Sequence, residues 1–460
     1  MTVTLVLPEH ISAEVFDAAE ADVETACVLL ARRVETPGGN VRLLARAVHW
    51  VPDDAYLRRD ATTLSIASHG YVPALAAAEA DQAVPIWLHT HPGYESSPQP
   101  SERDEVVDRQ LADLFRLRAG SPLYGAVVIA RTAGRHCFAG HIESDNGRND
   151  IDRVWVAGRR FSLIQNWLHD TTPPGEQFDR NIRAFGGRIQ QVLGNLQVAV
   201  VGCGGTGSAV IEQLVRLGVR HLHLFDPDTL TAGNVTRVYG SYLNNVGEPK
   251  VNVSAVHVRQ IAPDAQVITT QAKITLESTA RLLLDADIVF GCTDDNAGRL
   301  VLSRIASYLL TPVIDCGVLL SSGAGGQLIG IDGRVTVLAP GAACLVCRDR
   351  VDLHQAAAEM LAPDEHRRLA QEGYAPALLD PEPAVVAFTT QVASAAVGEL
   401  LERLIHYGPE PVPTEILIRS HDRELSTNDQ EPRRGHYCHP VAQKLGLGVT
   451  EPFLEQTWQQ

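Results

Sequence analysis

One short stretch restricts the possible folds more than any other part of the chain. It begins at Leu196 and reads LQVAVVGCGGTGSAVIEQLVRLGVRHLHLFDPD. An apolar run precedes a glycine cluster, an amphipathic segment follows, and a second apolar run ends at Asp226. The glycines of the cluster are Gly202, Gly204, Gly205 and Gly207. This order predicts a β-α-β unit with a glycine-rich first turn, and therefore an α/β fold with a parallel sheet.

The length of the chain predicts more than one domain. A chain of 460 residues is too long for a single ordinary hydrophobic core. The sequence TTPPGEQ at 171–177 is the best linker, because Pro-Pro-Gly interrupts regular structure. We therefore expect one α/β domain over 1–170 and a second over 178–460. In the first, strands and helices alternate, and the final pair of strands is predicted over LYGAVVIAR and RHCFAGHI.

Composition excludes several classes of partner. The net charge of −16, from 39 Lys and Arg against 55 Asp and Glu, gives no general attraction to nucleic acid or anionic lipid. No apolar stretch approaches the roughly 20 residues of a transmembrane helix, and no secretory signal pattern is present. Apart from the pair in CLVC, the cysteines are scattered, which favours a reducing compartment. We expect a cytoplasmic protein.

A first group of chemically suited residues lies in WLHTHPGYESSPQPSERD, residues 87–104. His89 and His91 are two apart at the end of a predicted strand, so their side chains face the same way. Asp104 lies in the first turn of the next predicted helix, which Ser101 can cap. Two histidines and a carboxylate suit a catalytic zinc ion, which keeps one position open for water. The alternative is a pair of ordinary strand-end histidines beside a helix cap.

The pattern H-x-H-P, a loop, then S-x-x-D resembles the JAB/MPN (JAMM) family of zinc metalloproteases, which includes deubiquitinating enzymes. The resemblance implies a cytidine-deaminase-like α/β domain in which His89, His91 and Asp104 bind zinc. It also implies that Glu24, in VETACVLL, is the general base and that Ser101 stabilises the oxyanion. Two features depart from the family pattern: the loop before Ser101 is longer, and ETAC replaces ETCG.

A second group of residues, suited to a nucleotide, follows the glycine cluster. The pattern G-x-G-x-x-G alone usually indicates a dinucleotide site, and Asp226 is compatible with a nicotinamide ribose, so a dehydrogenase is one interpretation. The side chains further on favour a triphosphate instead, because basic groups suit phosphates and acidic groups suit magnesium and ribose hydroxyls. These residues are Asp226, Asp228, Asn234, Arg237, Lys250 and Asp294.

The spacings D-x-D, N-x-x-R and G-x-P-K, with the motif C-T-D, closely resemble those of the ThiF/MoeB adenylyltransferases, the core of the ubiquitin-activating enzymes. The resemblance covers roughly residues 178–440 and implies a Rossmann-like domain that uses Mg-ATP. It implies that the four glycines and six residues above bind the nucleotide, with Asp294 and Arg237 taking part in catalysis. It further implies a homodimer, in which Arg180 of the segment DRNIRAFG reaches the partner's ATP.

The cysteines suggest a second, structural zinc ion. Cys344 and Cys347, in CLVC, match the first half of a zinc site found in many members of that family. The second half has a single cysteine, Cys438, between two possible partners, His436 and His439. We expect Cys344, Cys347, Cys438 and His436 to bind zinc, and the alternative is an empty site. Residues 350–385 contain no cysteine, so we expect adenylation without a thioester on this domain.

Together the two resemblances imply a bifunctional enzyme that acts on the Gly-Gly C-terminus of a ubiquitin-like or sulfur-carrier protein. The first domain would cleave after Gly-Gly, and the second would adenylate the exposed carboxylate for a conjugating enzyme or a sulfurtransferase. The alternative is sulfur-carrier activation for cofactor or metabolite biosynthesis rather than protein conjugation, which the missing cysteine favours. A non-enzymatic nucleotide-binding scaffold is the third interpretation.

Overall fold

The computed structural model describes residues 1–93, 96–168, 175–323, 327–371 and 383–458. The chain divides into two compact units. Unit 1 covers Met1–Thr171 and Gly446–Val449, and unit 2 covers Thr172–Leu445 and Thr450–Gln460. Of the predicted linker at 171–177, residues 171–174 lie outside the described residues.

Unit 1 is built on a mixed sheet, with helices on both of its faces. Its elements are β1 (Val3–Pro8), α1 (Glu9–Ala19), β2 (Ala26–Glu35), β3 (Val41–Trp50), β4 (Tyr56–Arg59), β5 (Leu64–Ile66), α2 (Val72–Asp81), β6 (Val84–His91), α3 (Glu102–Ala119), β7 (Tyr124–Thr132), β8 (Arg135–Ser144), β9 (Gly147–Asp150), β10 (Arg153–Ala157) and β11 (Phe161–Gln165). Within the described residues the strand order is β11-β10-β1-β3-β2-β6-β7-β8-β9, and β4 pairs with β5 separately.

The prediction of which strands come last in this domain is wrong. The sequence pattern places the final strands at β7 and β8, but β9, β10 and β11 follow. Strand β10 returns to pair in parallel with β1, with Val154 opposite Leu5. All five residues of β10, which reads RVWVA, are buried. A strand buried on both faces shows no alternation of polar and apolar residues, so periodicity does not reveal it.

Alternation along β6 determines which side chains face α3. Leu88 packs in the core on the α1 face of the sheet, whereas Trp87 packs on the other face, edge-on against Phe115 of α3. Successive strand residues point to opposite faces, so His89 and His91 lie on the same face as Trp87. The two histidines therefore project toward α3, which begins close to Asp104.

Unit 2 has a predominantly parallel sheet. Its elements are α4 (Asp179–Phe185), α5 (Gly187–Asn195), β12 (Gln197–Val201), α6 (Gly205–Leu217), β13 (His221–Phe225), α7 (Lys250–Ile261), β14 (Gln266–Thr270), α8 (Glu277–Ala280), β15 (Ile288–Gly291), α9 (Asn296–Tyr308), β16 (Val313–Ser322), β17 (Leu328–Leu338), α10 (Leu353–Glu359), α11 (Pro363–Gln371), α12 (Val386–Ile405), β18 (Glu415–Arg419) and β19 (Glu424–Asn428). Across the described ranges, no helix has both the length and the apolar character needed to cross a bilayer.

The strand order of unit 2 indicates where a ligand would bind. The described strands are ordered β14-β13-β12-β15-β16-β17-β18-β19, and the first five run parallel. The parallel part repeats the Rossmann order 3-2-1-4-5, so the Rossmann-like prediction is confirmed. In such sheets ligands bind beyond the carboxyl ends of the strands where the order reverses, which here lies between β12 and β15.

The turn between β12 and α6 needs glycine at two positions, because the chain passes close to itself. A Cβ on Gly207 would lie 1.8 Å from the Gly202 carbonyl oxygen. A Cβ on Gly202, whose φ is +95°, would lie 2.5 Å from the carbonyl oxygen of Cys292. These contacts are shorter than any side chain tolerates, so glycine at both positions allows the packing of β12, α6 and the end of β15.

We expect Gly207→Ala to lower the free energy of unfolding by about 1–3 kcal/mol, because the added methyl group must displace main chain. Gly398→Ala is the matched control. Gly398 lies within α12, and apart from its chain neighbours and the backbone of its own helix no described atom lies within 4 Å of the position that a Cβ would occupy there. Alanine at this position should raise stability by up to about 1 kcal/mol. Calorimetry measures both, and equal melting temperatures for the two variants would contradict the steric argument.

Candidate functional site

Three predicted ligands in unit 1 meet where β6 ends and α3 begins. The candidate ligand atoms of His89, His91 and Asp104 all lie within 4.8 Å of one another. Nε2 of His89 is 3.6 Å from Asp104 Oδ1, and Nε2 of His91 is 3.5 Å from Asp104 Oδ2. The structure thus brings together all three residues that the sequence motif predicts.

The surroundings of the histidines fit a metal ion. His91 Nδ1 is 2.7 Å from the carbonyl oxygen of Ser97, so Nδ1 carries the proton and Nε2 is left as the electron-pair donor. Metal-bound histidines commonly donate their second ring N–H in this way. His89 is buried, and neither of its ring nitrogens has a hydrogen-bond partner among the described residues. A metal ion would give one of these two nitrogens a partner and so reduce the cost of burying the ring.

Ser101 and Asp104 form the helix cap that the sequence predicts. The Asp104 N–H donates to Ser101 Oγ at 3.2 Å, while the Ser101 N–H donates back to Asp104 Oδ2 at 2.8 Å. The Ser101 hydroxyl also donates to Asp104 Oδ2, at 2.7 Å. Burial alone would raise the pKa of Asp104, but the nearby His89 and His91 and the hydrogen bond from Ser101 outweigh it and hold that pKa well below its usual range. In this arrangement Ser101 orients a predicted ligand, and its oxyanion role stays a prediction.

Strand pairing brings Glu24 to the same place. Ala26 of β2 lies opposite His89, and just beyond it the Thr25 and Thr90 main chains are joined by a hydrogen bond of 2.9 Å. Glu24 is buried, with 6% of the residue exposed. Burial raises the pKa of Glu24, although the charges of His89 and His91 partly oppose this. Glu24 is therefore a carboxyl group close to the ligand cluster, as the motif implies.

In unit 2, the glycine-rich turn is held by Asp226. This carboxylate is buried, and its Oδ2 accepts a hydrogen bond from the Cys203 N–H at 2.7 Å. Its Oδ1 accepts one from the Asp228 N–H at 2.9 Å and lies 3.9 Å from Lys250 Nζ. Burial raises the pKa of Asp226, and the charge of Lys250 partly opposes it. Because both oxygens accept hydrogen bonds from the chain's own N–H groups, Asp226 acts as a clamp on the turn, and its contact with a nucleotide stays a prediction.

The basic residues lie around this turn. Lys250, the first residue of α7, is 2.7 Å from Asp228 Oδ2. The side chain of Arg237 passes over Gly205, and its Nη1 donates to the Gly233 carbonyl at 2.9 Å. Asn234 caps the short helical turn before Arg237 and accepts a hydrogen bond from the Thr231 N–H at 3.1 Å. Two cations therefore lie beside the start of a helix, an arrangement that suits phosphate groups.

Asp294 lies at the neighbouring strand end. It is exposed and follows β15, the parallel neighbour of β12. The next residue, Asp295, caps α9 by accepting a hydrogen bond from the Gly298 N–H. The Asp294 carboxylate is not part of that cap, so it is the more suitable magnesium ligand. Arg180 is exposed on α4, and its contact with a partner's ATP stays a prediction.

The predicted structural zinc ligands are also gathered in one cluster. The ligand atoms of Cys344, Cys347, His436 and Cys438 lie within 4.8 Å of one another. The sulfurs of Cys347 and Cys438 are 3.6 Å apart, and a tetrahedral zinc ion with Zn–S bonds of about 2.3 Å would separate them by roughly 3.8 Å. Contact with Cys438 lowers the pKa of the Cys344 thiol, which favours the thiolate that zinc needs. His439 instead accepts a hydrogen bond from the Val441 N–H.

The sequence model described as the ThiF family matches residues 178–434, more than half of the chain. The chain belongs to the ThiF family. The match leaves unit 1 without a family, so the JAB/MPN assignment of that unit is not supported by it. Unit 1 is a mixed-sheet α/β domain of unidentified type.

Curated ThiF relatives match part of the chain. The sulfur carrier protein ThiS adenylyltransferase of Escherichia coli is 33% identical over 30% of this chain and 55% of its own length. The SAMP-activating enzyme E1 of Haloferax volcanii is 26% identical over 33% of this chain and 52% of its own. The tRNA threonylcarbamoyladenosine dehydratase of Bacillus subtilis is 38% identical over 22% and 40%. The chain thus spans about half or less of the length of these relatives.

Sequence analysis missed a second group of ionisable residues in unit 1. Asp108, Tyr124, His141 and Arg148 are joined by short contacts beside the ligand cluster. Asp108 follows Asp104 by one helical turn, and that spacing is the one signal the sequence offers. The other three come from the consecutive strands β7, β8 and β9, and no motif links these positions to Asp108 of α3.

Zinc content tests both clusters. We expect about two zinc ions per chain, because each cluster offers a complete set of protein ligands. His89→Ala should remove one ion, Cys347→Ser should remove the other, and His49→Ala on β3 should keep both. Inductively coupled plasma mass spectrometry on the purified variants gives the count. An unchanged count in His89→Ala would contradict the unit 1 site.

Proposed function

We propose that unit 2 uses Mg-ATP to adenylate the C-terminal carboxylate of a sulfur-carrier or ubiquitin-like protein, with a sulfur carrier as the leading substrate. The observation that carries this proposal is the glycine-rich turn, clamped by Asp226 and flanked by Lys250 and Arg237, in a ThiF-family chain. The E. coli relative named for ThiS supports the substrate class. The relative named for threonylcarbamoyladenosine makes a modified nucleoside the competing class.

The proposed reaction asks the chain to position groups and neutralise charge. The carrier's carboxylate oxygen attacks the α-phosphorus, the bond to the bridging oxygen breaks, and pyrophosphate leaves. The N–H groups at the start of α6, with Lys250 and Arg237, bind the phosphates and balance the charge of the leaving group. A magnesium ion would neutralise further phosphate charge, and Asp294 is the residue that would hold it.

The described cysteines favour passage of the adenylate to an external acceptor. Burial raises the pKa of Cys203 well above its usual value, and contact with Cys316 and burial do the same for Cys292. Such thiols are poor nucleophiles, because the thiolate is the reactive form. Cys316 is itself buried in β16. With no cysteine in the sequence at 350–385, we propose direct transfer to a sulfur donor rather than a thioester on this chain.

The domain division, the oligomeric state and the acceptor of the adenylate belong to the same proposal. We take 1–170 and 178–460 as separate functional domains, and we expect a homodimer in which Arg180 contacts ATP bound by the partner. The acceptor that consumes the adenylate would be a sulfurtransferase, with a conjugating enzyme as the alternative.

Asp294→Ala should reduce carrier-dependent ATP–pyrophosphate exchange by about 100-fold or more, because a charge-stabilising group is lost. Asp264→Ala is the control, since Asp264 pairs with Arg220 at the opposite, amino-terminal edge of the sheet. Exchange is measured with labelled pyrophosphate and a Gly-Gly-terminated sulfur carrier. If threonylcarbamoyladenosine stimulates exchange and the carrier does not, the substrate of unit 2 would be a modified nucleoside instead of a carrier protein. Full exchange in Asp294→Ala would contradict the assigned role.

A second activity, zinc-dependent cleavage after Gly-Gly, is favoured by the geometry of unit 1. Two of the three ligands, His89 and Asp104, line a cleft of about 360 Å³ together with the buried Glu24, and we call it the unit 1 cleft. Its ionisable and hydroxyl-bearing lining residues include Glu24, His89, Ser101, Asp104, Asp108 and His141. A bound zinc ion would supply Lewis-acid activation of water. Glu24 is placed to accept the proton that is released, and Ser101 keeps Asp104 in its ligating orientation.

Glu24→Gln should reduce cleavage of a Gly-Gly-extended peptide by about 10²–10⁴-fold, because the general base is lost. Zinc content should stay unchanged, since Glu24 is outside the ligand set, and ATP–pyrophosphate exchange should also be unaffected. Asp294→Ala should show the reverse, with normal cleavage and lost exchange. Cleavage is followed by mass spectrometry of the released fragment. Undiminished cleavage in Glu24→Gln would exclude this mechanism.

A further inference from the structure

The unit 1 cleft extends beyond the metal ligands to a second cluster of polar side chains. Asp108, His141 and Arg148 line the same cleft as Glu24 and His89. His141 is buried in β8, whereas the side chain of Arg148, in β9, is 50% exposed. A peptide held for cleavage at the ligands would therefore bring its neighbouring residues close to this cluster.

Small residues on β7 and β8 create the space. Ala126 and Ala139 line the cleft together with Gly140, and α3 forms the opposite wall. A Cβ on Gly140 would lie 2.8 Å from the Ala126 carbonyl oxygen, so the two strands come too close for a larger residue. A volume of about 360 Å³ is at the small end of the range for ligand pockets. The cleft suits a short segment of peptide rather than a folded domain.

Asp108 holds the cluster together. Its Oδ1 accepts a hydrogen bond from the buried Tyr124 hydroxyl at 2.9 Å. Its Oδ2 lies 3.2 Å from His141 Nε2 and 3.6 Å from Arg148 Nη1. Burial alone would raise the pKa of Asp108, but contact with His141 outweighs it, so the carboxyl group is ionised at neutral pH. With its oxygens directed at these three groups, Asp108 positions other residues rather than a ligand.

Arg148 has donors suited to a carboxylate. Its ion pair with Asp108 uses one nitrogen, Nη1, whereas a guanidinium carries five N–H donors arranged as a fork. Such a fork binds a carboxylate through two parallel hydrogen bonds. The cleft is also lined by Arg103, Glu105 and Asp150, of which Asp150 has contacts of its own. Arg148 is the cation that the half-buried Asp108 carboxylate holds at the edge of the cleft.

We propose that Arg148, positioned by Asp108, determines specificity by binding a carboxylate on the leaving-group side of the bond that unit 1 cleaves. This proposal rests on the proposed peptidase activity. The small cleft favours the terminal carboxylate of an extension one or two residues long. An acidic side chain in a longer extension offers the same chemistry from a second source.

Binding measurements test this without turnover. The full chain carrying Glu24→Gln, loaded with zinc, is titrated by calorimetry with three peptides that contain the same carrier C-terminus. The peptides end in Gly-Gly-Ala as the free acid, Gly-Gly-Ala as the amide and Gly-Gly-Glu as the amide. We expect the free acid to bind about tenfold more tightly than the alanine amide, because a charge-assisted hydrogen bond is lost on amidation.

Adding Arg148→Gln should remove this preference, whereas adding Arg118→Gln, an exposed arginine near the end of α3, should keep it. The peptide that ends in the glutamate amide shows which carboxylate Arg148 binds. If this peptide binds as weakly as the alanine amide, Arg148 binds the terminal carboxylate. If it binds as tightly as the free acid, Arg148 also accepts an acidic side chain. Equal binding of acid and amide, a preference that survives Arg148→Gln, or no binding of any peptide would each overturn the proposal.

Cleavage by the unsubstituted chain separates this proposal from the peptidase proposal. If it cleaves acid and amide with equal kcat/KM, the specificity proposal is wrong and the peptidase activity stands. If it cleaves neither peptide while the tenfold binding preference is present, the peptidase activity fails and the carboxylate site stands as a binding site.

Discussion

The hydrogen bonds accepted by the buried Asp226 carboxylate are the interaction on which unit 2 depends. They join the glycine-rich turn at Cys203 to the loop after β13 at Asp228, and an ion pair of 3.9 Å links the same carboxylate to Lys250 at the start of α7. A carboxylate at this strand end would serve a dinucleotide enzyme by binding ribose. Here it supports the backbone around the turn, and its predicted contact with the nucleotide stays a prediction.

Both units have their candidate site where a buried strand ends and a helix begins. In unit 1, β6 ends at His91 and α3 begins with the Ser101 cap; in unit 2, β12 is followed by Gly202 and α6. Strand ends supply side chains in fixed positions, and helix starts supply N–H groups and carboxylate caps. This common geometry explains how two unrelated groups of residues could be found by the same rules for reading a sequence.

Most of the sequence-based predictions that agree with the structure rest on residues close together along the chain. The glycine cluster predicted the β-α-β unit, and the S-x-x-D spacing predicted the Ser101 cap, because each depends on residues a few positions apart. The ligand sets at Asp104 and Cys438 were also gathered as expected, with the motifs supplying the long-range link. No motif linked β10 to β1 or His141 to Asp108, so the edge of the sheet and the second cluster were missed. Periodicity and spacing describe neighbours along the chain, whereas these pairs depend on the completed sheet.

The hydrogen bond from His91 to the Ser97 carbonyl has a consequence for how the loop can vary. A main-chain carbonyl is present whatever the side chain, so point substitutions at Ser97 leave the acceptor in place. Insertions or deletions, in contrast, would move the carbonyl and release the imidazole to rotate. We therefore expect substitutions at Ser97 to leave the orientation of the His91 ring unchanged, whereas a change in the number of residues between His91 and Ser97 would disturb it.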